Sequence, residues 1–169
     1  MQFVLCRTVM RRPTTPAPDQ SAAVRGVALA SGAKAMLLKP AKPLPSGATF
    51  VLAVMSAARS LDWPKLRSLV GQPKVSMAQL GDVAAVTGCL PGAVPPFGSL
   101  FGGAPGVVAT VVDESILSQG AVINFNAGLR TLSVVGLRVE DYLRIEAPLA
   151  VGDFTALAPP VVHAQSASN

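Results

Sequence analysis

Eleven consecutive residues, Gly88-Cys-Leu-Pro-Gly-Ala-Val-Pro-Pro-Phe-Gly98, constrain this chain more than any other stretch. Three glycines and three prolines leave no room for a helix or a central strand. Proline fixes φ near −65° and lacks a backbone donor, while glycine opens positive φ. The segment is therefore a shaped, rigid loop that presents N–H and C=O groups in fixed directions. Such a surface can hold a ligand, or it can pack apolar residues under the mouth of a sheet. It lacks the Lys-Ser/Thr ending of a phosphate-binding P-loop and does not follow GxGxxG.

The rest of the chain suits one compact domain. Of 169 residues, 50% are hydrophobic and only 14% charged, against about a quarter in ordinary globular chains. A large core is expected, with one domain over residues 1–158 and a polar, frayed tail over 159–169. No apolar run reaches the roughly 18 residues of a membrane span. The start, MQFVLCRTVMRR, carries its Arg residues after the apolar stretch, the reverse of a signal peptide. A soluble, cytoplasmic protein is expected. Cys6 and Cys89 are read as reduced, buried thiols, and two Cys with one His cannot close a zinc site. No metal and no cofactor is expected.

Charge is uneven. Residues 1–74 hold eleven Lys/Arg against Asp19 and Asp62, a net of +9. Residues 75–169 hold three Arg against seven acids, a net of −4. A basic half suits a polyanion partner, and equally a solubilising surface over an apolar core.

The periodicity predicts strands at Phe3–Met10, Lys34–Lys39, Thr49–Met55, Val107–Val112, Ala121–Phe125 and Leu132–Val135. The second and third form a long hairpin across a Pro-rich loop. Helices are predicted at Ser21–Ser31, from Asp62 to Val70, from a capping box at Ser76–Gln79 to Val86, at Asp113–Ser118 and at Glu140–Ile145. Trp63 and Tyr142 read as packing residues. The pattern is α+β without repeats, rich in strands and with short helices.

Three places could carry chemistry. Lys34 heads a strand of Ala, Met and Leu. It needs an anionic partner or a way to solvent, so it is either a pocket cation or an edge-strand guard. Asn126-Ala-Gly-Leu-Arg130 joins two strands, as a plain turn or as a pocket mouth with Arg130 as an anion fork. The third is the loop itself. His163 lies in the tail, so a His-based nucleophilic site is not expected. Cys89 has no visible base to activate it. The acids Asp113–Glu114 and Glu140–Asp141 sit at helix starts, where capping explains them.

The order of these pieces resembles the YbaK/prolyl-tRNA synthetase-associated editing domains. The resemblance rests on Ala22–Gly26 (AAVRG), Ala33–Lys39, Phe50–Leu66, Thr87–Gly98 and Ile123–Ile145 (with FNAG), and it spans roughly residues 7–145. It implies a mixed, barrel-like β-sheet flanked by short helices. It implies hydrolysis of the ester of mischarged tRNA, here tRNA for proline carrying Ala or Cys. The implied partners are the tRNA acceptor end and a synthetase. The family pattern makes Lys34 the catalytic residue. It makes Gly92, Ala93, Val94, Pro95 and Pro96 the loop that positions the aminoacyl group, with Asn126, Gly128 and Arg130 beside the pocket. Two positions depart from the pattern: Arg12-Pro13 stands for His-Pro, and Pro95 for Ser or Thr. A non-catalytic tRNA- or synthetase-binding module, or a small-molecule pocket protein, would carry the same fold.

Overall fold

A computed structural model describes residues 8–11, 18–103, 106–118 and 120–158. Cys6, Arg12-Pro13, the prolines of residues 13–17, His163 and the 159–169 tail lie outside them. So do residues 3–7, where the first strand was expected to begin.

A five-stranded sheet of β2 (Ala33–Pro40), β3 (Phe50–Ser56), β5 (Val75–Met77), β6 (Val108–Asp113) and β9 (Ala150–Gly152) carries the core, in the order β5-β2-β3-β6-β9. Its centre is β3 (Phe50–Ser56), all seven residues buried. That burial explains the unbroken apolar run: a strand covered on both faces cannot alternate. Each fully buried Leu, Val or Met there contributes about 1.5–3 kcal/mol. β2 (Ala33–Pro40) pairs antiparallel with β3 from Ala33 opposite Ser56 to Leu38 opposite Val51. This is the expected hairpin. On the other side β6 (Val108–Asp113) runs parallel to β3, so the sheet is mixed.

A three-stranded sheet, β1-β8-β7, is built from β1 (Thr8–Arg11), β7 (Val122–Asn126) and β8 (Leu132–Arg138), all antiparallel. The register between β7 and β8 slips at Asn124. There Asn124 forms a parallel bridge with Gly32, just ahead of β2, and so joins the two sheets. Its buried amide donates to Ser31 Oγ at 2.8 Å, and its Oδ1 accepts from Gly136 N at 2.9 Å. A bulge of this kind bends a strand and re-aims its end. A third pair joins β4 (Arg59–Leu61) to β10 (Thr155–Leu157). The α+β reading with a mixed central sheet and short helices holds. No closed barrel forms among the described residues.

The helices are α1 (Pro18–Arg25), α2 (Trp63–Leu69), α3 (Leu80–Thr87), α4 (Ser115–Ser118) and α5 (Val139–Glu146). None is long and apolar enough to cross a membrane. Asp62 caps α2 as expected, its carboxylate accepting from Lys65 N at 3.1 Å. Asp113 accepts from Ser115 N at 2.9 Å at the start of α4.

Two helix readings are corrected. The helix expected over Ser21–Ser31 stops at Arg25, because Gly26 turns left-handed at φ 66°. A short 3-10 turn, Leu29–Ser31, follows. The capping box at Ser76–Gln79 opens no helix. Val75–Met77 is strand β5, paired with β2 from Pro40 to Leu38, and α3 starts at Leu80 without a side-chain cap. The free edge of β2 offered three ladder partners, and that pairing outweighs a local cap.

Candidate functional site

A cavity of about 240 Å³ opens at the seam between the two sheets. Four pieces of chain meet there: α1, the start of β2, the Pro91–Val94 part of the loop, and the end of β7 with its turn. Small side chains make much of the wall, among them Ala22, Ala33, Ala35 and Ala57. Val94 and Leu29 complete its apolar part. The polar lining is cationic: Arg25, Lys34 and Arg130, with Ser21 and Asn126. Among the described residues no Asp, Glu, His or Cys lines it.

Lys34 is placed by the register of β2, opposite Met55 of a wholly buried strand. It is half-buried, and Nζ donates to the carbonyl of Arg59. Among the described residues no carboxylate pairs with it. Burial therefore pushes its pKa below the ordinary lysine value, with no anion to oppose the shift. A half-desolvated ammonium held by one carbonyl is ready to meet an incoming anion or developing oxyanion.

The turn after β7 grips the first half of the loop. Asn126 Nδ2 donates to Gly92 O at 2.5 Å. Gly128 N donates to Ala93 O at 3.0 Å, and Gly128 sits at φ 84°, where a side chain would be strained. Arg130 donates through Nε and Nη2 to Pro91 O, at 3.0 and 2.7 Å. Arg25 orients Asn126: its Nη2 donates to Asn126 Oδ1 at 2.6 Å and its Nε to Ser133 Oγ at 3.0 Å.

The second half of the loop is gripped from beneath. Tyr142 Oη donates to Pro96 O at 2.8 Å. Thr110 Oγ1 accepts from Gly98 N at 3.2 Å and donates to Glu146. The Glu146 carboxylate also takes Ser99 N at 3.2 Å and Ser99 Oγ at 2.7 Å. Burial, aided by the nearby Glu146 charge, pushes the Tyr142 phenol well above its ordinary value, so it stays a donor. Gly98 has no spare room: a Cβ would come 2.3 Å from Thr110 Oγ1.

The structure thus brings Lys34, Gly92, Val94, Asn126 and Arg130 to one cavity. Ala93 and Pro96 are buried behind it, with their carbonyls taken by Gly128 and Tyr142. Pro95 and Gly128 are half-buried, and Gly128, within the turn, does not line the cavity. Cys89 is a free thiol but only half-buried, not fully buried as expected, and its Sγ donates to Thr87 O at 3.3 Å. Glu140 and Asp141 form surface ion pairs with Arg138 and Arg144. No group of three His, Cys, Asp or Glu able to hold a metal occurs among the described residues.

Sequence reasoning did not single out Arg25, Thr110 or Glu146 as site residues. Arg25 reaches Asn126 across 101 positions, and Glu146 reaches Thr110 across 36 and Ser99 across 47. The one available signal for Arg25 was its place inside the AAVRG stretch.

Comparison with known proteins bears on this geometry. The family model described as the aminoacyl-tRNA editing domain matches residues 12–145. A protein of Escherichia coli K12 named multifunctional Ser/Thr-tRNA deacylase ProXp-y is 36% identical over 126 residues. The match spans 74% of this chain and 70% of that protein. A solved structure described as a candidate trans-editing enzyme for prolyl tRNA synthetase superposes with a TM-score of 0.74 at 22% identity. It covers 88% of this chain and 86% of the other. A scaffold protein used for computational epitope grafting superposes equally well, with a TM-score of 0.74 at 23% identity over the same shares. These last two likenesses speak to the fold alone.

Proposed function

The chain belongs to the aminoacyl-tRNA editing domain family, an aminoacyl-tRNA deacylase by that membership, and we propose that it acts in trans on tRNA carrying a small amino acid. The observation that carries this reading is the lining of the cavity. Among the described residues three cations and no carboxylate stand beside a wall of alanines. That combination suits an anionic nucleic-acid end bearing a compact acyl group.

In this reading the aminoacyl group enters against Ala22, Ala33, Ala35 and Val94. Its carbonyl turns toward Lys34. A water oxygen attacks the carbonyl carbon and charge builds on the carbonyl oxygen. The Lys34 ammonium stabilises that charge, because among the described residues no carboxylate takes its remaining hydrogens. When the tetrahedral carbon collapses, the bond to the ribose oxygen breaks. The proton given up by water returns to that oxygen, so the products are a free amino acid and a tRNA with an intact terminal hydroxyl. Among the described residues no carboxylate or imidazole lines the cavity to act as a general base. The proton must travel through water or through a hydroxyl of the substrate. Positioning and electrostatics then carry the rate. Arg25 and Arg130 would draw the terminal phosphates toward the rim.

The small side chains of the wall, Ala22, Ala33, Ala35 and Val94, suit a compact acyl group, and an amino acid no larger than proline is the expected cargo. Ala and Cys remain candidates from the family resemblance. Ser and Thr join them because the 36% identical relative is named for those two. An alanine-walled pocket separates such residues poorly: one methylene is worth about 1–3 kcal/mol and an added hydroxyl little more. Tests on tRNAs charged with Ala, Cys, Ser, Thr and Phe decide the matter. Hydrolysis of one or more of the first four is expected, with little of the Phe ester. Preferred hydrolysis of Phe-tRNA would overturn the size argument. Salt-sensitive tRNA binding with no hydrolysis of any ester would replace the enzyme by a binding module.

A further inference from the structure

The loop that walls the cavity is held from behind by a group of side chains that never touch the cavity. Tyr142 and Glu146 stand four positions apart on α5, hence on one helix face. Both are buried, and Thr110 of β6 is buried between them and the loop. Together they account for Pro96 O, Gly98 N, Ser99 N and the Ser99 hydroxyl. Between these anchors, Phe97 is set edge-on to Phe125 and Tyr142, with ring centres 5.7 and 5.3 Å apart.

Packing alone does not call for this arrangement. An apolar residue at position 146 would fill the same space without a charge to bury. A buried carboxylate is tolerated when its oxygens are satisfied, and this one takes three donors, all needed to hold residues 98–99 against β6. Val94 lies two residues before Pro96 and forms part of the cavity wall. A backbone pinned from Pro96 to Ser99 leaves Val94 little freedom to retreat.

We propose that Tyr142, Thr110 and Glu146 are positioning residues that hold the loop wall in place and so set the size limit of the aminoacyl pocket. This rests on the deacylase reading for its consequence, though not for its structure. When the grip is broken, the loop backs away and the pocket admits larger side chains, while small ones lose their near-attack placement.

Thr110→Val tests it. The substitution keeps the shape but removes both the acceptor for Gly98 N and a donor to Glu146, leaving buried groups unpaired. Thr110→Ser keeps the hydroxyl, and Glu146→Gln can keep all three contacts, its Oε1 accepting from Thr110 Oγ1 and Ser99 N while its Nε2 donates to a reversed Ser99 hydroxyl. Two readouts apply: the ratio of kcat/KM for small against large aminoacyl esters, and hydrogen exchange of amides in residues 92–99. For Thr110→Val the ratio should fall about tenfold, and the loop amides should exchange faster, with β3 unchanged. Thr110→Ser and Glu146→Gln should stay near wild type on both. Wild-type selectivity and loop exchange in Thr110→Val would overturn the proposal. Equal losses in Thr110→Val and Thr110→Ser, with faster exchange in β3, would overturn it too, as plain destabilisation. If the wild-type protein hydrolyses no ester, the deacylase reading fails by itself. The exchange comparison then still decides whether these residues hold the loop.

Discussion

The two halves of the Gly88–Gly98 loop are fixed by opposite means. Its first half, at Pro91 and Gly92, is exposed and is held by side chains of the neighbouring turn, Asn126 and Arg130. Its second half, from Pro96 to Gly98, is held by the buried Tyr142, Thr110 and Glu146. A hydrogen bond broken at the surface is replaced by water at small cost. One broken inside leaves a polar group stranded, at about 1–3 kcal/mol. One half is therefore adjustable and the other rigid. A site that must admit the flexible end of a large RNA and still measure a side chain is served by that division.

Gly98→Ala should break the contrast most severely. The new methyl would meet Thr110 Oγ1 at 2.3 Å and Val108 at 3.1 Å. Overpacking there should lower the unfolding free energy by about 2–3 kcal/mol, read by urea denaturation. Tyr142→Phe comes next. It strands the buried Pro96 carbonyl and should cost about 1–2 kcal/mol in the same assay. Gly92→Ala meets nothing within 4 Å but sits at φ 79°. The strain should cost about 1 kcal/mol and slow turnover more than it lowers the melting temperature. Arg130→Ala is the mildest. It removes two exposed bonds to Pro91 O and should change stability by less than about 0.5 kcal/mol, while raising KM for tRNA. A larger stability loss in Arg130→Ala than in Tyr142→Phe would invert the comparison.

Much of this molecule was legible from local chemistry. The β2–β3 hairpin showed in its apolar runs, α2 in its Asp62 cap, and the shaped loop in its glycines and prolines. Lys34 stood out as a cation on an apolar strand, and Asn126 as part of a turn between two strands that matches the FNAG pattern. What stayed hidden depends on distant partners. Val75–Met77 carried a helix-start pattern, and only the open edge of β2 made it a strand. The strands β4, β9 (Ala150–Gly152) and β10 are three residues each, too short to show a period. Glu146 ends a helix in sequence and gave no sign of the loop it holds from 47 positions away. Arg25 showed only as the one Arg of a predicted helix, and only the fold sets it against Asn126.

We propose that the Lys34 ammonium, on the wall of an alanine-lined cavity, drives ester hydrolysis. Single-turnover deacylation of wild type and Lys34→Ala on the best ester of the Ala, Cys, Ser and Thr set tests it most directly, with tRNA binding measured alongside. The expected result is a rate lower by about 100-fold or more with binding weakened far less, as for loss of an oxyanion donor. A Lys34→Ala protein that cleaves the ester at the wild-type rate would contradict the account.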